Sequence, residues 1–292
     1  MSKTIGAGCM NQAYLLLDGT LIDNLPSRLL ELAGSTAYQS LYRQTAYSAL
    51  LAVSPVLVPV LPNSPLAHTF THEWSTTAGI WLESEVNEAA LLQHLRSLIH
   101  ARIEGDAKVF FRYYDPRITP LWLADMAPQE RDRLMGPIRR ILLPESLHPG
   151  GFIGQENPEQ PIAQYTEKPW LLLTPAQLER MSAAKRQLLA QQLIEHCQQH
   201  FPQRLQGAEP AAQQQWASAC QRSAERHGYS AADQVIHWAN LHAVLGDEFP
   251  DAAEHAVYRL ILDQKEVLPA QRLDNLNAEL QRQLLTDKEL FA

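Results

Sequence analysis

The sequence predicts an α/β lobe, a mixed sheet with flanking helices, followed by an all-α lobe. Three observations carry that expectation. Short β-rich apolar runs alternate with amphipathic stretches as far as about residue 143. Residues 144–169 then hold five prolines and three glycines, the composition of a linker or long loop. From 170 to 292 the punctuation is that of helices, with repeated caps and breakers. The expected layout is therefore an α/β domain over 1–143, a connector over 144–169 and a helical lobe over 170–292.

Each element has its own reason. Tyr14-Leu-Leu-Leu17 is a strand closed by the turn signal Asp18-Gly19. Residues 26–32 suit a short helix with Leu29, Leu30 and Leu32. A polar stretch with Tyr38, Tyr42 and Tyr47 follows. Residues 50–61 are apolar and β-rich but carry Pro55 and Pro59, which predicts an edge strand or extended segment. Gly79-Ile-Trp-Leu82 is the next strand. Ser84 or Asn87 caps a helix whose stripe is Leu91, Leu92, Leu95, Leu98 and Ile99, with Gly105 at its C-terminus.

Val109-Phe-Phe-Arg-Tyr-Tyr-Asp-Pro-Arg117 predicts a buried strand stopped by Asp115-Pro116. Thr119-Pro120 and Pro128 open two short helices, the second ending near Gly136. Trp170-Leu-Leu-Leu173 suits a last strand returning to the sheet. Thr174-Pro-Ala-Gln177 is a capping box with Pro at the first helical position. Its helix runs toward His200, and four more are expected over 210–227, 230–246, from 251, and 270–285.

Composition narrows the function. The chain has 292 residues, is 46% hydrophobic and 19% charged, and carries a net charge of −8. Residues 151–292 hold 12 basic and 18 acidic side chains, so most of the acidity lies there. No basic footprint for nucleic acid or for an anionic membrane is visible. With no leader-like apolar stretch and three dispersed cysteines (Cys9, Cys197, Cys220), the expected compartment is the cytoplasm.

Motifs for chemistry are sparse. His68 and His72 are four apart, but Thr-Phe-Thr between them predicts a loop rather than a metal site. His196-Cys197-Gln-Gln-His200 reads as a solvated helix face. The clusters Gly6-Ala-Gly8 and Gly150-Gly151-Phe-Ile-Gly154 lack a phosphate-loop Lys, and no Gly-x-Ser-x-Gly elbow is present. No metal, cofactor or catalytic residue is expected.

The charged trio Arg112, Asp115 and Arg117 has two readings. One is an anion clamp at a strand end, where α/β sites commonly lie. The other is structural: Asp115 caps backbone N–H groups beyond Pro116 and pairs with an Arg. Nothing nearby supplies an acid/base partner, which favours the structural role. Trp216, Trp238, Leu241, Leu245 and Phe249 look like the seam of the helical lobe. Trp81, Trp216 and Trp238 are candidate partner-binding residues if exposed.

Taken in order, several of these segments resemble a known family. They are Tyr14-Leu-Leu-Leu-Asp18, Leu41-Tyr42, Gly79-Ile-Trp-Leu82, His94-Leu-Arg96, Phe110-Phe-Arg-Tyr-Tyr-Asp-Pro-Arg117 and Gly136-Pro-Ile138. Their order and spacing are similar to the adaptor chaperones of bacterial type VI secretion systems. The likeness covers about residues 14–140 and runs more loosely from His227 to Phe249. Tyr113 stands where Phe is common.

The resemblance implies a cytoplasmic protein that binds a secreted effector and helps load it onto the spike, the valine-glycine repeat protein. It implies no catalysis, no nucleic acid and no membrane. The motif Arg112, Tyr113, Tyr114, Asp115, Pro116 and Arg117 is then structural or partner-binding. The competing reading is an α/β enzyme acting on a phosphorylated or anionic small ligand through Arg112 and Arg117.

Overall fold

The structure, a computed structural model, describes residues 12–34 and 37–290. Cys9 and the Gly6-Ala-Gly8 cluster lie outside them. The chain divides into two compact units, Met1–Met181 and Ser182–Ala292.

The first unit is built on a six-stranded sheet. Its strands are β1 (Gln12–Leu17), β2 (Gln39–Ser40), β3 (Val56–Pro59), β4 (Gly79–Ser84), β7 (Ile138–Leu142) and β8 (Phe152–Gly154), in spatial order β2-β3-β1-β4-β7-β8. The ladders in this sheet are antiparallel. β5 (His100–Arg102) and β6 (Lys108–Phe110) form a separate hairpin, to which Leu172 adds one parallel bridge at Arg102. The α/β lobe and the helical region that follows are those the sequence predicts.

β1 explains why its apolar run is continuous. Tyr14 and Leu16 pack on one face of the sheet, with Leu57, Ile80, Leu82 and the leucines of α3 (Glu88–Ser97). Leu15 and Leu17 pack on the other, with Val56, Val58 and the helices α1 (Leu25–Ala33) and α2 (Pro65–Thr69). Both faces are covered, so alternation with polar residues disappears. β3 is flanked on both sides, yet β2 reaches only Val56 and Leu57. Pro59 therefore lies beyond the end of β2, where its missing N–H is harmless. Upstream, 48–53 is a 3₁₀ turn rather than strand.

Helix ends follow local chemistry. Asn87 caps α3 by accepting from the Ala90 N–H at 2.9 Å. Gly105 does not end that helix, which stops at Ser97. It sits in the β5–β6 turn at φ +82°, followed by Asp106 at φ +59°. α4 (Thr119–Leu123) and α5 (Pro128–Met135) both start at proline-marked sites.

The 144–169 segment is not a free connector. β8 extends the sheet, the Glu156 and Asn157 N–H groups donate to the Asp132 carboxylate, and Tyr165 and Trp170 pack on the core. Residues 170–173 return beside β5 through bonds between Arg102 and both Leu171 and Leu173, rather than as a full strand. The division between units falls inside α6 (Pro175–His200). Thr174 and Gln177 make the reciprocal capping box: the Thr174 N–H donates to Oε1 at 2.8 Å and the Gln177 N–H to Oγ1 at 3.3 Å.

The second unit holds the rest of α6, then α7 (Pro210–Arg226), α8 (Ala232–Leu245), α9 (Ala256–Leu262) and α10 (Pro269–Leu290). Its core is aromatic. Trp238, fully buried, packs at a tilt against Tyr229 and Phe249, and Phe249 meets His255 and Tyr258. The helix expected to open at Asp251 begins instead at Ala256, after a 3₁₀ turn over Ala253–His255. Among the described residues no helix is long and apolar enough to cross a membrane.

Candidate functional site

The 109–117 run is not one buried strand. β6 ends at Phe110, which is half exposed, and the hairpin lies outside the main sheet. The sheet-end argument for a site therefore does not apply. Phe111, Tyr113 and Tyr114 are buried, but in a turn segment rather than a ladder. Their side chains supply the burial: Phe111 and Tyr113 pack around Trp122, and the Tyr113 hydroxyl donates to the Leu95 carbonyl at 2.9 Å.

Each charge in this run has a partner. Arg112 reaches 94 residues back to Asp18 and Thr20, not to Asp115. Asp18 sits at the end of β1 with its carboxylate 3% exposed. It also accepts from the Thr20 N–H at 2.9 Å and the Thr20 hydroxyl at 2.7 Å. Burial works to lower the Arg112 pKa, and the hydrogen bond and charge of Asp18 outweigh it, for a net rise. Asp115 takes Arg117 in a two-point pair at 2.8 and 2.7 Å, and accepts the Arg117 N–H at 3.0 Å. The side-chain hydrogen bonding of the guanidinium to Asp115 is the main cause of a raised Arg117 pKa. The Asp115 carbonyl accepts from the N–H groups of Ile118 and Thr119, which carries the chain across Pro116 into α4.

This arrangement holds a turn. Burial raises the Tyr113 and Tyr114 pKa values, so both phenols stay neutral donors. The outer edge of Arg112 is exposed and Arg117 is one-third exposed, leaving donors for a carboxylate brought from outside. Both guanidiniums are held by carboxylates, Arg112 by Asp18 and Arg117 by Asp115.

A second polar knot lies beneath α3 and was not legible in the sequence. His94 is buried, its Nε2–H donating to the Leu134 carbonyl at 2.9 Å while Nδ1 accepts the Ala163 N–H at 3.2 Å. Burial drives its pKa down to about 4, so the ring is neutral. Gly136, at φ +55°, lies against that ring. A Cβ there meets Cε1 at 2.3 Å, which explains why glycine stands at this position. His100 also stays neutral, lowered by burial, with the Tyr47 hydroxyl at 3.0 Å from Nδ1 and the Thr166 carbonyl at 3.0 Å from Nε2.

The other candidates are dispersed. Trp81 is partly buried on β4 against Phe70. Trp216 is 8% exposed and Trp238 0%, so both belong to the helical core and Trp238 offers no surface. His68 and His72 lie on helical turns rather than a loop, their rings stacked at 4.0 Å. In the 196–200 stretch Cys197 is core, not solvated face, and His196 bonds to Asn240 at 2.7 Å. Among the described residues no group of three or more His, Cys, Asp or Glu is arranged to hold a metal.

A family profile described as "Domain of unknown function (DUF4123)" matches residues 13–133. That stretch contains β1 through most of α5, including both carboxylate–arginine pairs. No curated protein and no solved structure matches the chain.

Proposed function

We propose that this protein is an adaptor chaperone: it binds a type VI secretion effector in the cytoplasm and helps load it onto the spike protein, without catalysis. The observation that carries the reading is the match over residues 13–133, because that domain occurs in type VI secretion effector adaptor proteins. The ordered segments from Tyr14 to Ile138 support it, since they fold into a single sheet-based unit. The fixed Arg112–Asp18 and Arg117–Asp115 pairs support it further by giving the conspicuous motif a holding role.

An adaptor needs stable surfaces for two proteins. The test is a binding titration of the purified chain against the N-terminal fragment of an effector encoded beside it, and against the spike. Binding at or below about 10 μM is expected. An unrelated effector serves as the control. If neither fragment nor spike binds at that concentration, the reading is wrong.

A further inference from the structure

Ser48–Val53 is a 3₁₀ turn of sequence Ser-Ala-Leu-Leu-Ala-Val with no buried residue. Leu50, Leu51 and Val53 are 43%, 42% and 44% exposed. Five successive apolar residues thus face water, although their segment is firmly held. The Ser54 hydroxyl binds the Ser40 hydroxyl and the Tyr42 N–H at 2.8 and 3.1 Å. On one side Tyr47 packs on the half-exposed Phe110 at 4.4 Å. On the other, Gly19 lies against the Val53–Ser54 backbone, with Leu21 exposed just beyond. A continuous apolar patch of this kind on a well-held backbone is the mark of an interaction surface.

Two arginines, one on it and one bound to it, mark the loop that leads into this turn. Arg96 is 4% exposed and donates to the carbonyls of Ser40 and Leu41 and to Gln44 Oε1, at 3.1, 3.2 and 3.3 Å. Among the described residues no carboxylate lies within ion-pair distance of it. Arg43, exposed on the same loop and close enough to act on the Arg96 charge, has no ion pair among them either. Arg96 is buried and spends its donors inside the protein, so in a chain of net charge −8 Arg43 is the exposed cation five residues before the apolar turn, and it favours a carboxylate there.

We propose that Ser48–Val53, with Leu21 and Phe110, is the docking surface for the effector, and that it takes an amphipathic segment whose apolar side chains cover the turn while a flanking carboxylate meets Arg43. The proposal rests on the adaptor reading and names the surface and chemistry of that contact.

The test compares wild type with L50S/L51S and with R43E, titrating each with the neighbouring effector's N-terminal fragment at low and high salt. These residues are exposed, so the thermal midpoints stay within about 2 °C of wild type. L50S/L51S is expected to weaken binding at least about tenfold. R43E is expected to weaken it about threefold to tenfold at low salt and to reduce its salt dependence. If wild type binds and L50S/L51S binds equally well, this surface is wrong while the adaptor reading stands. If wild type binds no effector fragment, the adaptor reading falls and this proposal with it. Sedimentation of the chain alone is the remaining arm: self-association abolished by L50S/L51S makes the occupant a second copy and overturns the proposal.

Discussion

The two units keep their interiors together in different ways. In the sheet unit, buried polar groups are tied down: His94 to two backbone groups, Tyr113 to Leu95, Asp18 to Arg112 and Thr20. Among the described residues that unit leaves four buried side-chain polar atoms without a hydrogen-bond partner, on Trp81, Trp122, Arg131 and Arg139. The smaller helical unit leaves eight, including Trp216, Ser223, Tyr229, Trp238 and His242. Its order comes from rings: Trp238, Tyr229, Phe249 and Tyr258 pack with centroids 5.2–5.5 Å apart along the chain of contacts. Directional bonds specify the first interior, and shape and apolar area specify the second.

The contrast is open to direct attack. The largest effect belongs to ring packing: Trp238→Ala is expected to destabilise the protein by about 3–5 kcal/mol in urea unfolding. A loss under about 1 kcal/mol contradicts an aromatic keystone.

Acid comes next. His94 has a folded pKa of about 4, lowered by burial from its ordinary 6.5. Between those values the unfolded chain binds the extra proton, so stability is complete above about pH 6.5 and declines as pH falls toward 4, by about 3 kcal/mol in all. His242 is pushed to about 4 by the same cause and shares the window. The two separate on substitution to leucine. His94→Leu strands the Leu134 carbonyl and the Ala163 N–H, and lowers stability even at pH 7. His242→Leu removes an unpartnered Nε2, and is close to neutral at pH 7 while flattening the acid limb. Equal losses at pH 7 erase the distinction between the units.

Arg112→Ala leaves the buried Asp18 with only Thr20, and is expected to cost about 2 kcal/mol. Arg117→Ala breaks a local pair whose carboxylate is less buried, 14% exposed against 3% for Asp18, and is expected to cost about half as much. Reversal of that order, measured by chemical denaturation, removes Asp18 from its central place. The smallest effects are the most pointed. Tyr113→Phe deprives the Leu95 carbonyl of its donor and costs about 1 kcal/mol. Tyr229→Phe deletes a hydroxyl with no partner and shifts stability by less than about 0.5 kcal/mol.

Much of the architecture was legible because it rests on near neighbours. The Thr174–Gln177 box, the Asn87 cap and the prolines at 120, 128 and 175 act within one helical turn, so reading them needs no tertiary knowledge. β1 was equally plain, since an unbroken apolar run ended by Asp-Gly leaves few alternatives. The 109–117 run misled for an instructive reason. Aromatic residues signal burial, and burial was read as a strand, but here a helix and Trp122 cover the rings without any ladder. Gly105 showed the same ambiguity: a positive φ serves a hairpin turn as well as a helix end.

The candidate site was legible as a motif and not as a geometry. That Asp115 pairs with an arginine was legible in the sequence, but the choice between Arg112 and Arg117 was not, and the structure gives it Arg117. Arg112 had two carboxylates open to it, and the choice of Asp18 depends on β1 and the β6 end converging in space. The sequence by itself determined the strands and helices that local chemistry starts and stops, the charge balance, and the likeness of residues 13–133 to the matched domain profile. Tertiary structure alone decided which arginine meets which carboxylate, that His94 is interior, and that Ser48–Val53 lies uncovered. The physical reason is range. Caps and turns act over a few bonds, whereas burial and ion pairing belong to groups that only the folded chain brings together.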